Sequence, residues 1–168
     1  MPTPKTIAIR RLVPSEGAAY RQIRLEALKT APDAFGSSYE AEAARDLSHF
    51  EERVASGCVF GAFDRGRIIG MVGFYQQSGA KQNHKGVLWG MYVAPGYRKS
   101  GAGRRLVRAV VSHATDLVDL VTLSVMTENQ PAIALYSEMG FRTYGTEPRA
   151  LKSATGYLDE ALMIRDLN

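Results

Sequence analysis

Apolar and polar residues alternate in the first third of the chain in patterns typical of one strand and two helices. The alternation over residues 5–12 predicts a strand. Apolar side chains then recur at helical spacing, which predicts a helix that is capped at Ser15 and ends before Pro32. Residues 33–42 are predicted to form a loop. The apolar stripe within residues 44–57 predicts a second helix, which ends at a glycine.

The middle of the chain is predicted to be β-structure. Apolar runs at residues 58–64 and 68–77 flank an Arg-Gly-Arg turn signal at residues 65–67, which predicts a hairpin. A polar loop over residues 78–85 leads to a third strand at residues 86–94. We expect these three strands to form a meander.

Helices and strands alternate in the C-terminal part. An amphipathic pattern predicts a helix over residues 103–114, and the continuous apolar run at residues 119–127 predicts a strand that is buried on both faces. A proline in the first turn and a terminal glycine mark a short helix over residues 129–140. Strands are predicted at residues 141–145 and 157–167.

This order of elements predicts an α+β fold with three layers, in which helices flank a mixed, mostly antiparallel, twisted sheet. A length of 168 residues is typical of a single domain, here residues 1–168. The strand, loop, helix and strand within residues 86–126 form one predicted βαβ crossover. Its loop follows the carboxyl end of a strand, where such sheets commonly bind ligands.

Composition adds a cellular setting to this fold. The chain is 45% hydrophobic and 23% charged, as in an ordinary globular protein, and no apolar run approaches the ~20 residues that span a bilayer. The N-terminus lacks the apolar core of a signal peptide. A single cysteine, Cys58, cannot form an intramolecular disulfide, and its apolar neighbours favour a small core residue over a nucleophile. We therefore expect a cytoplasmic protein without a membrane partner.

The positive charge is concentrated in one part of the chain. Residues 65–115 contain nine lysines and arginines and no acidic residue, whereas the whole chain has a net charge of +4. Such asymmetry indicates an anionic partner at one place. A nucleic acid, a membrane surface, a phosphorylated cofactor and a merely solvated basic face all fit this observation.

The loop at residues 98–103 reads Arg-Lys-Ser-Gly-Ala-Gly and lies between a predicted strand and a predicted helix. The free N–H groups at a helix N-terminus bind anions, and the helix dipole adds to the attraction. Because Gly101 and Gly103 lack a Cβ, a phosphate can approach the backbone closely. The side chains of Arg98, Lys99 and Arg104 reinforce the site.

Two familiar phosphate-binding patterns do not fit this loop. The nucleoside-triphosphate loop needs Gly-Lys-Ser/Thr, but Gly103 is followed by two arginines. The dinucleotide fingerprint needs a third glycine at the position that Leu106 occupies. Nucleic-acid binding needs aromatic residues among the basic ones, and Tyr97 is the one aromatic in this loop. We therefore predict no nucleic-acid partner.

Two segments together resemble the GNAT superfamily of N-acetyltransferases. The first is Arg98-x-x-Gly101-x-Gly103 after the strand "MYVAPGY", and the second is "VTLSVMTENQPAIALYSEMGF" at residues 121–141. Their order and spacing also match the superfamily. The resemblance covers residues 57–167 well, whereas residues 1–56 match only its variable helices on the substrate side.

The resemblance implies a role for each matching position. A bulge would separate the strand around Tyr92 from its neighbour. The backbone of this strand would then pair with the pantetheine arm of acetyl-CoA. Asn129 would also contact the pantetheine arm. The loop amides would hold the pyrophosphate. Tyr136 would donate a proton to the departing thiolate. The implied cofactor-binding residues are Met91, Tyr92, Val93, Arg98, Lys99, Ser100, Gly101, Ala102, Gly103, Arg104 and Asn129. Other interpretations are a turn or cap role for Asn129 and a core role for Tyr136.

The implied reaction is direct attack of a primary amine, on a small molecule or a peptide, on the thioester of acetyl-CoA. Transfer of another acyl group, a non-catalytic acyl-CoA sensor and a basic nucleic-acid-binding protein are the alternatives. No metal site is expected, because His49, His84 and His113 are scattered without ligand spacing. A homodimer through a sheet edge or the C-terminal strand is compatible with the sequence.

The general base and the acceptor pocket are the least defined parts. The strand before the glycine loop contains no carboxylate, so Glu26, Glu40, His84, a water chain or uptake of the neutral amine are the candidates. Three aromatic residues are candidates for lining the acceptor pocket, with ordinary packing as the alternative: Phe35, Tyr39 and Trp89.

Overall fold

A single seven-stranded sheet runs through the protein, as seen in a computed structural model that describes residues 5–168. The strands lie in the order β1-β2-β3-β4-β5-β7-β6. Their bounds are β1 Ile7–Arg11, β2 Cys58–Asp64, β3 Arg67–Gln76, β4 Lys85–Val93, β5 Leu120–Met126, β6 Arg142–Ser153 and β7 Gly156–Asp166. The helices are α1 Gly17–Thr30, α2 Tyr39–Ala43, α3 Leu47–Ser56, α4 Ala102–Ala114 and α5 Gln130–Glu138.

The sheet is antiparallel except at its centre. The pairs β1–β2, β2–β3 and β3–β4 are antiparallel, and so are the pairs β5–β7 and β7–β6. Strands β4 and β5 are parallel, and α4 connects them as the predicted crossover. The predicted meander and the mixed, mostly antiparallel sheet are therefore confirmed.

Helices cover both faces and create two hydrophobic cores. Helix α4 places Leu106, Val107 and Val110 on the face that carries Val72 and Val121, and α5 packs on the same side. Helices α1 and α3 cover the opposite face of β2 and β3. The apolar stripe of α4 is thus the one that the sequence predicted.

Several predicted boundaries in the N-terminal part are wrong. Ser15 does not cap α1, because a short 3-10 turn at Pro14–Glu16 precedes that helix and Glu16 accepts a hydrogen bond from the amide of Val13. The predicted loop at residues 33–42 contains helix α2, which is capped by Ser38. Serine is a strong N-cap, so this signal was present in the sequence.

Two predictions for the C-terminal strands need correction. Strand β5 is buried on one face only, since Ser124 is exposed and Thr122 is half-buried. The strand predicted at residues 141–145 extends to Ser153, because its pairing with β7 continues through two irregularities.

Among residues 5–168, no helix is long and apolar enough to cross a membrane.

Candidate active site

The sheet opens at its centre because β4 and β5 pair over only three residues each. The register joins Lys85 to Leu120 and Val87 to Thr122, and β4 then continues to Val93 without pairing to β5. A bulge accompanies this divergence, because the register moves from Met71–Tyr92 to Gly73–Trp89, so that one residue of β3 faces two of β4. Such bulges bend a strand and often lie beside active sites.

Gly90 is the residue that permits the bulge. Its φ of +63° lies in the left-handed region, where a side chain would be strained. With Met91 it occupies the two positions of β4 that face the one residue of β3. The bulge that the resemblance implied is therefore present, and the edge of β4 beyond it is free of β5.

The glycine loop leads from β4 into α4. Lys99 has a φ of +62° and Gly101 a φ of +86°, so both residues lie in the left-handed region, which is common in the backbone turns that form anion-binding concavities. In the described part of the chain, the backbone amides of Lys99, Gly101, Gly103 and Arg104 find no backbone acceptor. Four free donors at a helix N-terminus fit an anionic group such as a pyrophosphate.

Gly103 also has a packing role, which the sequence did not indicate. A Cβ on this residue would lie 3.2 Å from Cδ2 of Leu135 and 3.3 Å from Cε of Met91. The glycine therefore allows α4 to approach β4 and α5 closely. Gly101, in contrast, has open space around its Cα.

Side chains anchor the loop to the rest of the protein. The hydroxyl of Tyr97 donates a hydrogen bond to Oδ2 of Asp64 over 2.9 Å, and this bond raises the pKa of Tyr97. The other carboxylate oxygen of Asp64 is buried without a partner. Arg104 forms an ion pair with Glu138 of α5, and Arg98 donates to the carbonyl of Val93 over 3.3 Å. The basic stretch is thus partly neutralised by its own fold.

A cavity of about 980 Å³ runs along the opened sheet from this loop. The tip between α1 and α2 forms one wall of it, from Thr30 to Phe35, and α5 forms the other. Ten of the predicted site residues line it: Met91, Tyr92, Val93, Arg98, Lys99, Gly101, Gly103, Arg104, Asn129 and Tyr136. Ser100 and Ala102 do not, because Ser100 bonds back to the carbonyl of Tyr97 and Ala102 is packed in the core.

Tyr136 reaches the cavity from the buried side of α5. Only 5% of the residue is exposed, and its ring packs edge-to-face on Phe141 at 5.9 Å between centroids. Burial raises the pKa of Tyr136. The phenol is therefore protonated at neutral pH and able to donate its proton.

Asn129 caps α5. Its Oδ1 accepts a hydrogen bond from the amide of Ala132 over 3.3 Å, and the residue also lines the large cavity. The cap role that the sequence left open is therefore present. Its NH2 group has no part in this bond.

The three candidate bases lie in different places. Glu26 accepts a hydrogen bond from the hydroxyl of Tyr92 over 3.2 Å, and Tyr92 lines the large cavity. Thr30 bonds the same hydroxyl over 2.9 Å. Glu40 is exposed on α2, and His84 precedes β4 at the end of the strand that is remote from the loop. Neither of these two lines the cavity.

A second cavity of about 370 Å³ adjoins the first on the face opposite α4. Ala34 and Phe35 line both cavities, so the two meet at the tip between α1 and α2. Two of the three aromatic candidates for an acceptor pocket, Phe35 and Trp89, line the second cavity, but Tyr39 lies outside it. Its polar lining comes from residues the sequence analysis did not select: Arg24, Thr122, Ser124, Tyr144 and Glu160.

Arg24 is part of a buried ionic cluster. Its Nε and Nη2 donate to the two carboxylate oxygens of Glu42 over 2.9 and 2.8 Å, and Arg53 lies 3.6 Å from the same carboxylate. The sequence held a signal for it, because Arg24 interrupts the apolar stripe formed by Tyr20, Ile23, Ala27 and Leu28. A charged residue at a core position needs a partner.

The two arginines lower the pKa of the Glu42 carboxyl group. Burial alone would raise this pKa, but the hydrogen bond from Arg24 and the charges of Arg24 and Arg53 outweigh burial and lower it.

Among residues 5–168, no group of three or more His, Cys, Asp or Glu side chains is placed to hold a metal ion.

An opened mixed sheet beside a glycine-rich helix N-terminus defines the class of GNAT-type acetyltransferase folds. The fold matches an acetyltransferase of the GNAT family from Streptococcus pneumoniae with a TM-score of 0.86 and 22% identity, over 97% of this chain and 100% of that one. It also matches yncA, a putative acetyltransferase from Salmonella typhimurium with its cofactor acetyl-CoA, with a TM-score of 0.79 and 20% identity, over 96% and 94%.

The sequence identifies the family directly. Residues 24–141, more than half of the chain, match the Acetyltransferase (GNAT) family, and the chain belongs to that family. A curated relative, an uncharacterized N-acetyltransferase from Mycobacterium tuberculosis, is 33% identical over 78 residues, which is 46% of this chain and 49% of that protein. An uncharacterized protein from Mycobacterium leprae is 42% identical over 57 residues, which is 34% of this chain and 15% of that protein. The chain thus spans half or less of these relatives' length.

Proposed function

We propose that residues 1–168 form one N-acetyltransferase domain, which moves the acetyl group of acetyl-CoA to a primary amine of a small molecule or a peptide. The observation that carries this proposal is the cavity of about 980 Å³, which runs from the free amides of the glycine loop along the unpaired edge of β4 to Tyr136. A long cofactor with an anionic end and a reactive end fits such a channel.

The residues of this channel fit coenzyme A in three places. The free amides from Lys99 to Arg104 would hold the pyrophosphate, with Arg98 and Lys99 adding charge. The free edge of β4 at Met91 to Val93 would pair with the amide groups of the pantetheine arm. Acetyl-CoA, when bound, would supply the acetyl group as an activated thioester.

The reaction then needs three contributions from this chain. The two cavities bring the amine and the thioester together, which replaces a bimolecular encounter by a positioned one. A backbone N–H of the unpaired β4 edge stabilises the negative charge that develops on the carbonyl oxygen. The buried phenol of Tyr136 gives its proton to the departing thiolate.

We assign no side chain as the general base. Glu26 is held by Tyr92 and does not line the large cavity, and the other two candidates lie away from it. The amine therefore enters as the free base or loses its proton to water.

A location in the cytoplasm and the formation of a homodimer remain predictions from the sequence.

Two measurements test this proposal. Acetyl-CoA is expected to raise the melting temperature, whereas ATP and NAD at the same concentration are not. The variant Tyr136→Phe is expected to keep that shift and to lose about 10²- to 10⁴-fold in turnover, the usual contribution of a general acid. No thermal shift at millimolar acetyl-CoA would refute the cofactor, and unchanged turnover in the variant would remove the role of Tyr136.

The acyl-CoA sensor is the second outcome of the same experiment. It predicts a thermal shift with acetyl-CoA and no release of free thiol with any amine. The position of Tyr136 at the end of the cavity favours the enzyme.

A further inference from the structure

The second cavity is small, and the tip between α1 and α2 forms part of its wall. Its volume of about 370 Å³ lies at the lower end of the range for small-molecule sites. The tip between α1 and α2 reaches across to β6, where a Cβ on Gly36 would lie 3.9 Å from Cδ2 of Leu151. An extended peptide needs a longer groove, so this volume favours a compact acceptor.

A buried guanidinium forms part of the lining. Arg24 is 5% exposed, and its two hydrogen bonds to Glu42 use Nε and Nη2. The third nitrogen, Nη1, lies 3.5 Å from the point that a Cβ on Gly90 would occupy. The absence of a side chain at the bulge thus leaves room beside this donor, next to the strand edge where the acetyl group is proposed to lie.

The cluster around Arg24 carries one net positive charge. Two guanidinium groups, of Arg24 and Arg53, share the single carboxylate of Glu42. The rings of Phe35 and Trp89 lie 5.0 and 6.0 Å from the guanidinium carbon of Arg24 and hold it in place. A fixed, desolvated guanidinium with an unused donor is suited to bind a carboxylate.

A carboxylate lies on another wall of the same cavity. Glu160 of β7 lines it and is in register with Met126 of β5, which lines the large cavity. Glu160 is therefore close to the junction of the two cavities. An ammonium group directed toward Glu160 would face the thioester, while a carboxylate on the same molecule would face Arg24.

We infer that the acceptor is a small amine that carries a carboxylate, such as a free amino acid, and that Nη1 of Arg24 binds this carboxylate. The inference rests on the proposed acetyl transfer and narrows its acceptor. It excludes peptide N-termini and polyamines as main substrates, since neither has a carboxylate next to the reacting amine.

The first test uses the unmodified protein. The twenty standard amino acids are assayed with acetyl-CoA by release of free thiol, and each accepted one is compared with its carboxamide and its decarboxylated amine. The acid is expected to have a kcat/KM about 10- to 100-fold above the amide, because a charged acceptor is exchanged for a neutral one. The amine of the carboxamide is less basic than that of the amino acid, so a larger fraction of it is unprotonated at neutral pH. The intrinsic reactivity of the amines therefore favours the amide and cannot produce the expected preference for the acid.

The second test replaces Arg24, the proposed carboxylate-binding residue. Arg24→Lys keeps the charge beside Glu42 but removes the planar fork and with it Nη1. It is expected to raise KM for the amino acid about tenfold or more and to bring the ratio of acid to amide close to one. Arg21→Lys is the matched control, since Arg21 lies on the same helix and outside this cavity. It should leave the ratio unchanged.

Direct binding separates this inference from the proposed function. Calorimetry with the protein saturated by coenzyme A should show tighter binding of the amino acid than of its amide, even if turnover is slow. Equal use or equal binding of acid and amide, a preference for peptides or polyamines, or an unchanged ratio in Arg24→Lys would overturn the inference. Failure of acetyl transfer would show itself differently, as no thiol release with any amine.

Discussion

Removing the carboxylate of Glu42 is the sharpest test of the buried ionic cluster. The side chains of Arg24 and Glu42 are each only 6% exposed, and that of Arg53 is 26% exposed. In the variant Glu42→Gln, the guanidinium groups of Arg24 and Arg53 remain, but the carboxylate that neutralises one of their two charges is lost. Breaking a buried pair in this way costs about 3–5 kcal/mol of unfolding free energy. For a chain of 168 residues this corresponds to a loss of about 6–20 °C in Tm.

The pH dependence of this loss has a definite sign. The pKa of Glu42 is lower in the folded protein than in the unfolded chain. Its contribution is therefore complete above the unfolded value, about 4.3, and is lost as the pH falls through the lower folded value. The difference in Tm between the unmodified protein and Glu42→Gln should stay constant from pH 7 to about pH 5 and shrink below about pH 4.

Thermal unfolding followed by circular dichroism measures both effects. Glu40→Gln is the matched control, because Glu40 lies two residues earlier on the same helix and is exposed. It should change the unfolding free energy by no more than about 0.5 kcal/mol. The double variant Arg24→Met, Glu42→Leu should recover part of the loss, since it removes both buried charges. Equal melting temperatures for the two glutamine variants, or a gap that persists into acid, would refute the reasoning.

Three further substitutions test residues that line the large cavity. Gly101→Ala forces a side chain into a φ of +86° and should cost about 1–2 kcal/mol and weaken the thermal shift by acetyl-CoA; an undiminished shift would contradict the anion site. Asn129→Ala removes the cap of α5, at about 1 kcal/mol, and should also raise the Kd for acetyl-CoA about tenfold; an unchanged Kd would reduce Asn129 to a cap. Tyr97→Phe removes the hydrogen bond that Oδ2 of Asp64 accepts and should lower the midpoint of urea unfolding; an unchanged midpoint would show that water replaces the hydroxyl.

Local patterns predicted the elements around the glycine loop well. The helix expected over residues 103–114 is α4 at Ala102–Ala114, and the hairpin of β2 and β3 has the predicted turn. Both depend on residues that are neighbours in the sequence, such as a stripe at helical spacing or a glycine between two strands. The glycine loop could be found for the same reason, because its proposed function depends on the backbone of a few consecutive residues.

The residues around the second cavity were not predictable in the same way. The pattern of β5 is apolar throughout much of its length, yet Ser124 is exposed and lines the second cavity. Arg24 and Glu42 are 18 residues apart, and Tyr92 and Glu26 are 66 apart. Periodicity carries no information on which partners meet over such separations. The same limit explains why the strand expected at residues 141–145 was too short, since pairing with β7 extends it.

The sequence by itself determined the order of elements, the amphipathic helix after the glycine loop and the family to which both motifs belong. These features are local, so a short run of residues contains all the information they need. Only the tertiary structure decided how far β4 and β5 separate, which side chains enter the two cavities and that a buried arginine faces the bulge at Gly90. Those features depend on contacts between distant parts of the chain, which exist only once the sheet has formed and the helices have packed on it.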